Sequence, residues 1–282
     1  MQASKTLKVL AVGAAGPSAS MVIPELMQRK VSVRAFVHKP EDEPTVQKLG
    51  VSDVVVGELA DAGAVAKALD GVNAVFYIAP AALANEAEVG KQFVAAAKQA
   101  GVRRVVFSSV IHPVLSELAN HADKAPVEEA LIDSGMEYVF LHPAMFFQNI
   151  GASWTKMKET GVYGEPWSTE TRFSRIDYRD VAEVAAIALT EDRLLYGTFE
   201  LCAEGILNRH DLAALMSQVV GKPIKAIKVE IPAQANMPPK LTRMFAWYDK
   251  HALLGNSTTL RAILGREPRT LKSFFEELNA QG

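Results

Sequence analysis

Short apolar runs alternate with stretches of helical spacing through the first half of the chain. Residues 9–12, 31–37, 54–56, 74–78, 105–108 and 138–141 read as strands. Residues 18–29, 62–69, about 85–100 and 125–134 read as helices. In the first of these, Met21, Val22, Leu26 and Met27 fall on one side. The strands show little apolar/polar alternation, and helices separate them. That pattern predicts a parallel sheet covered on both faces, wound by right-handed crossovers. Gly71, Gly101 and Gly135 stand where a helix hands over to a strand. Pro24 falls inside the first helix, where a missing N–H predicts a kink.

Beyond residue 150 the pattern changes. Trp154, Gly161, Gly164, Pro166 and Trp167 suggest loops and short helices. Residues 179–189 read as a helix, 198–202 as a strand, 210–220 as a helix ended by Gly221, and 225–229 as a strand. After Pro238-Pro239, residues 244–254 and 271–278 read as helical. The expected fold class is α/β. A Rossmann-like doubly wound parallel sheet occupies residues 1–150, with 176–203 returning to it. A smaller α+β lobe occupies 151–282 and faces the substrate.

Composition narrows the function classes. Hydrophobic residues are 49% of 282 and charged residues 22%, which supports a packed core and excludes a disordered chain. Lys plus Arg is 30 against 32 for Asp plus Glu, a net charge of −2, which argues against direct nucleic-acid binding. The one cysteine, Cys202, excludes an internal disulfide and a multi-thiolate zinc site, and suits a reducing, cytoplasmic setting. No histidine pair has metal-ligand spacing, so no metal is expected. No stretch approaches the ~20 apolar residues that span a bilayer. Lys5 and Lys8 before the apolar run 9–15 imitate a signal peptide, but the run is short, β-branched and closed by glycine, so it reads as a strand.

The most informative segment is Gly13-Ala14-Ala15-Gly16-Pro17-Ser18-Ala19, a glycine turn between the first strand and the first helix. Gly13 suits the tight turn. Gly16 lets the backbone approach a diphosphate, which the helix N-terminus then holds. Ala19 is the small residue for helix–strand packing. The spacing is G-x-x-G-x-x-A, and its context favours nucleotide binding. About 20 residues on, the second strand ends in His38-Lys39 with no acid to take a ribose hydroxyl. That pair suits a 2′-phosphate, so NADP(H) is expected, with NAD(H) the alternative. The competing reading of His38-Lys39 is a solvated loop.

At this point the chain resembles the NmrA-like family, an atypical branch of the short-chain dehydrogenase/reductase superfamily. The match rests on Gly13-Ala14-Ala15-Gly16, Val33-Arg34-Ala35, and Gly57-Glu58-Leu59-Ala60-Asp61 in place of G-D-L-x-D. It continues through Gly71-Val72-Asn73-Ala74-Val75-Phe76, Val106-Phe107-Ser108-Ser109, and Lys124 with Glu128-Glu129. It ends with His142-Pro143 through Asn149, Ile176-Asp177 through Ala182, and Leu264-Gly265-Arg266-Glu267-Pro268. The resemblance implies a dinucleotide along the strand ends, held by Gly13, Ala15, Gly16, Pro17, Ser18, Arg34, His38 and Lys39. Its adenine would lie near Glu58 and Leu59. Its nicotinamide would lie near Ile78, Ala79, Pro80, Ser108, Lys124, Pro143 and Phe146.

The superfamily's Tyr, four residues before its Lys, is missing. Asn120 stands there, and no tyrosine lies between Tyr77 and Tyr138. Lys124 remains to bond the nicotinamide ribose. His121 is the candidate proton donor, set against the reading of a solvated loop histidine. Ser108 and Ser109 either polarise a carbonyl or simply end their strand. His142 stands where the family often has Arg. Phe146 and Phe147 are the best candidates for an apolar or aromatic substrate, while Trp154, Trp167, Phe245, Trp247 and Tyr248 more readily pack the lobe.

The leading expectation is an NAD(P)H-dependent oxidoreductase passing hydride to a small conjugated or carbonyl substrate such as a quinone. The alternative is a dinucleotide sensor that regulates a protein partner without catalysis. A third is a non-redox isomerase on the same core. The oligomeric state stays open.

Overall fold

The computed structural model describes residues 7–80, 83, 85–232 and 237–281. In chain order it contains β1 (Lys8–Val12), α1 (Ala19–Gln28), β2 (Ser32–Val37), α2 (Glu43–Gln47), β3 (Asp53–Val56), α3 (Ala62–Leu69) and β4 (Ala74–Tyr77). Next come α4 (Glu86–Gln99), β5 (Arg104–Ser108), α5 (Ala119–Ala122), α6 (Ala125–Ser134) and β6 (Glu137–Pro143). These are followed by β7 (Met145–Phe146), α7 (Gln148–Gly151), α8 (Trp154–Thr160), β8 (Val162–Glu165), β9 (Phe173–Ile176), α9 (Tyr178–Thr190) and β10 (Thr198–Leu201). The chain closes with β11 (Ile206–Leu207), α10 (Arg209–Val220), β12 (Lys225–Lys228), α11 (Pro239–Tyr248), α12 (Thr258–Leu264) and α13 (Leu271–Gln281).

Contacts divide the chain into two compact units. The first comprises Met1–Val114, His121–His142 and Val181–Phe199; the second comprises Leu115–Asn120, Pro143–Asp180 and Glu200–Gly282.

The first unit is built on a seven-stranded sheet in the order β10-β6-β5-β4-β1-β2-β3. The reversal of strand order at β1 is the switch point of a doubly wound fold. Every pairing from β3 across to β6 is parallel; Val12 faces Phe36 on β2, and Ala11 faces Phe76 on β4. The strands are apolar on both faces because helices cover both. Val75, Tyr77, Phe93, Val105, Phe107 and Phe140 belong to one buried cluster with residues of α3, α4 and α6. Arg104 on β5 is also buried. It forks to Glu137, to the carbonyls of Ala188 and Glu191 at the end of α9, and to Asp192. These bonds satisfy helix-terminal carbonyls that have no partner within the helix.

The second unit carries a three-stranded sheet, β11-β9-β7, and a two-stranded one, β12-β8. Its core gathers Phe147, Trp154, Met157, Tyr163, Leu212, Met216, Phe274 and Phe275. A capping box between Asn208 and Asp211 starts α10. Asp180 is fully buried and accepts from Arg266 and from both the backbone and the side chain of Arg269. The acid in I-D-x-x-D-x-A therefore anchors the C-terminal G-R-x-P.

The helices and strands of the first half fall where the apolar pattern puts them, within a residue or two at most ends. The structure also adds α2, α5, β7, β8, β9, β11 and α12, which the pattern does not show. The helix expected at 244–254 instead spans Pro239–Tyr248: a proline at the first helical position loses no bond, and residues 249–254 are not helical. Pro24 lies inside α1, which continues to Gln28 as its expected bounds require.

Candidate functional site

The turn after β1 is held open by its own backbone. Gly13 takes φ +64°, and the Gly16 N–H donates to its carbonyl at 2.8 Å. The Ala14 N–H donates to Phe36 O at 3.1 Å, which fixes the turn against the end of β2. A Cβ on Gly16 would sit 3.0 Å from Gly13 O, and one on Gly13 would sit 3.8 Å from Ile78 Cγ2. Among the described residues, no hydrogen bond engages the N–H groups of Ala15, Ser18 or Ala19. Pro17 has none to offer. Ser18 Oγ is buried and also unpartnered. The first turn of α1 carries no acid. Free amides, an idle hydroxyl and the positive end of a helix therefore meet at one place, which is the chemistry of an anion site.

His38 and Lys39 follow β2 directly, beside that turn, and both are exposed. Glu58 and Leu59 follow Gly57, whose N–H donates to Val37 O at 3.0 Å, so the ends of β2 and β3 adjoin. Glu58 is exposed, whereas Leu59 packs on the core. Arg34 behaves differently from the expectation. Its Nε donates to both Asp53 oxygens at 2.9 and 3.0 Å, and its Nη1 to the carbonyls of Lys67, Ala68 and Asp70. Partial burial would raise the Asp53 carboxyl, but Arg34 and Lys8 outweigh it and hold it below its ordinary range. Arg34 is thus committed to joining β2, β3 and the end of α3.

Ile78, Ala79 and Pro80 leave β4 half-buried, buried and exposed in turn. Ser108 ends β5 with its Oγ buried and unpartnered. The next residue, Ser109, donates from Oγ to Glu128 Oε1 at 2.5 Å. The same oxygen lies 2.8 Å from Nε2 of His142, near the end of β6. One carboxylate in the first turn of α6 thus gathers a serine and a histidine from two neighbouring strand ends. The backbone bond from Ser109 N to Leu141 O, 2.9 Å, keeps the strands in register there.

Lys124 precedes α6 and is buried in an ion pair with Glu86, itself buried at the start of α4. Its Nζ lies 6.0 Å from the centroid of Phe107. His121 is buried, not solvated, with Nδ1 3.3 Å from His112 O. Burial pulls its pKa down to about 4 against the pull of its backbone bonds, so the imidazole is neutral at neutral pH and a poor proton donor. Tyr77 does not replace the missing phenol. It stacks on Phe93 at 4.6 Å, and burial together with Glu86 raises its hydroxyl well above the ordinary value.

In the second unit, Pro143 ends β6, and Phe146 on β7 lies half-buried with its ring 4.1 Å from that of Tyr178. Phe147, expected beside a substrate, is instead part of that unit's core, because the residue after β7 turns inward. Trp167, Phe173, Phe245 and Tyr248 pack on one another. Among the described residues, no group of three or more His, Cys, Asp or Glu side chains is placed to hold a metal. None of the described helices is long and apolar enough to cross a membrane.

Sequence reasoning missed Glu86 altogether and saw Glu128 only as a motif letter. The i,i+4 position of Glu128 after Lys124 was legible; the partners brought by separate strands were not.

Comparison with known proteins agrees with this architecture. An NAD(P)H azoreductase from Xenophilus azovorans is 28% identical over 285 residues, covering 94% of this chain and 96% of that protein. Citrobacter sp. triphenylmethane reductase superposes with a TM-score of 0.85 at 21% identity, covering 97% of this chain and 99% of the other. An NADPH-dependent quinone oxidoreductase from Escherichia coli, complexed with NADPH, superposes with a TM-score of 0.84 at 24% identity, covering 96% and 99%. The model of the NmrA-like family matches residues 5–278. With nearly its whole length matched, the chain belongs to the NmrA-like family.

Proposed function

We propose that the chain is an NADPH-dependent reductase of small conjugated carbonyl compounds, quinones among them. The observation that carries this reading is the turn at residues 13–19. Its unpartnered N–H groups and buried Ser18 hydroxyl suit a diphosphate, and an exposed histidine and lysine stand on the adjoining strand end. The azoreductase named for NAD(P)H and the quinone oxidoreductase complexed with NADPH support the choice of coenzyme and substrate class.

In this reading the amides of Ala15, Ser18 and Ala19 bind the diphosphate, with Gly13 and Gly16 keeping side chains out of its way. His38 and Lys39 hold the 2′-phosphate. Ile78, Ala79, Pro80 and Ser108 orient the nicotinamide half. Lys124 is held in place by Glu86. When bound, NADPH supplies a hydride.

The chain supplies the proton. Ser109 Oγ passes its hydrogen to the substrate oxygen that becomes negative, and the Glu128 carboxyl group, which Ser109 Oγ and His142 Nε2 both reach at Oε1, is placed to return one to Ser109. Hydride plus this one proton converts a quinone to the neutral hydroquinone, and solvent makes good the proton that the chain has given. A conjugated substrate spreads the developing charge, so a serine suffices where a simple ketone would call for a stronger acid.

Steady oxidation of NADPH in the presence of a quinone panel tests the reading. Turnover with one NADPH consumed per quinone reduced is the expected result. Tight, redox-selective binding without turnover would instead favour a sensor, and cofactor retained with no net redox change an isomerase.

A further inference from the structure

The second unit contains a buried cluster with more positive charge than its partners neutralise. Arg175 on β9 and Arg209 at the start of α10 are 4% and 2% exposed. Both reach the same oxygen of one carboxylate: Arg175 Nη2 lies 3.5 Å and Arg209 Nη2 3.4 Å from Oε2 of Glu165 at the end of β8. Tyr163 also bonds Glu165, and burial with that carboxylate keeps its phenol protonated. Two guanidinium groups and one carboxylate leave one unit of positive charge inside the unit. Arg209 Nη1 is satisfied by the carbonyls of Trp167 and Ile227, at 2.7 and 3.0 Å. Three buried donors are not: among the described residues, Arg175 Nε, Arg175 Nη1 and Arg209 Nε have no hydrogen-bond partner.

An unpaired donor in a protein interior costs about 1–3 kcal/mol, and more when charged. Water could answer the donors, but it would leave the excess charge. An anion answers both. Aromatic surface adjoins the cluster. The Trp167 ring lies 5.7 Å from Arg209 Cζ, and Phe245 and Tyr248 lie 5.5 and 5.4 Å from Trp167. Tyr248 is also the one buried residue of α11, so that helix is lightly anchored at this end of the unit. Local opening of such an element is inexpensive.

We propose that Arg175 and Arg209 form a binding site for an aromatic anion, a ring bearing a sulfonate or carboxylate. The acidic group takes the free Arg175 edge, and the ring joins the Trp167 cluster. The inference stands apart from the reductase reading, because it concerns binding alone.

The test is titration of the full chain with benzenesulfonate and with benzenesulfonamide, in the absence of coenzyme, followed by tryptophan fluorescence and calorimetry. Benzenesulfonate is expected to bind at least roughly tenfold more tightly than the neutral amide, and Arg175→Met is expected to erase that preference. Equal affinities in the wild-type protein would overturn the proposal, as would a preference surviving in Arg175→Met. Hydrogen exchange on the wild-type protein keeps the test independent of how the variant folds. Benzenesulfonate should slow exchange in β9, the start of α10 and α11; protection elsewhere only, or none, contradicts the site.

Discussion

His142 Nε2 and Glu128 Oε1 lie 2.8 Å apart, joining the end of β6 to the first turn of α6. Ser109 Oγ reaches the same oxygen at 2.5 Å. A carboxylate that is already the common acceptor of two donors is well placed to pass a proton between them. Replacing Glu128 by Gln keeps the shape and removes that capacity. We expect Glu128→Gln to lower kcat for quinone reduction by about 10–100-fold, a modest share of what general acid catalysis commonly gives. KM for NADPH should hardly change. Steady-state kinetics with both substrates varied separates the two effects.

His38 and Lys39 stand exposed at the end of β2, next to the Gly13–Gly16 turn. A charge-assisted bond to phosphate contributes about 1.5–3 kcal/mol. Replacing His38 by Asp and Lys39 by Ala should therefore weaken NADPH at least roughly tenfold more than NADH. Binding titrations of both coenzymes check this, and equal losses would count against the 2′-phosphate assignment.

Lys124 and Glu86 are a buried pair. Removing one partner of a buried ion pair typically costs about 3–5 kcal/mol. Lys124→Met alone should lower stability by about that much, whereas the double substitution Lys124→Met with Glu86→Leu should recover most of it. Urea unfolding of the four members of the cycle measures the coupling.

His121 ties stability to acidity. Its pKa is about 4 in the folded chain, because burial disfavours the cation, against about 6.5 when unfolded. Below pH 6.5 the unfolded chain takes up a proton that the folded chain refuses, so stability falls as pH drops through the window from 6.5 to 4. Between pH 7 and pH 5 the loss from this one residue is on the order of 2 kcal/mol. Unfolding midpoints at the two pH values should show it, and His121→Gln should flatten that part of the slope.

The first unit was legible in the sequence because its strands are continuous apolar runs and its helices carry their own stop signals; residues 125–134 were bounded as they stand in α6. The second unit was less so. Its strands are short, and β11 has two residues, too few for a period to show. Arg34 was read as a coenzyme contact, but its partners come from α3 and Asp53, which only folding brings to β2. Glu86 and Lys124 lie 38 residues apart, and no spacing rule links them. The shape of the glycine turn was legible because it is set by backbone atoms, whose freedom is written directly into which residues lack a side chain.

Calorimetric titration of NADPH into the chain and into its Gly16→Val variant addresses the dinucleotide grip directly. A Cβ at position 16 already stands 3.0 Å from Gly13 O, so the larger side chain should close the turn while the circular dichroism of the fold persists. Saturable heat with the wild-type chain, lost in the variant, is the predicted result. Flat traces for the natively folded wild-type chain, or equal affinity in Gly16→Val, would contradict it.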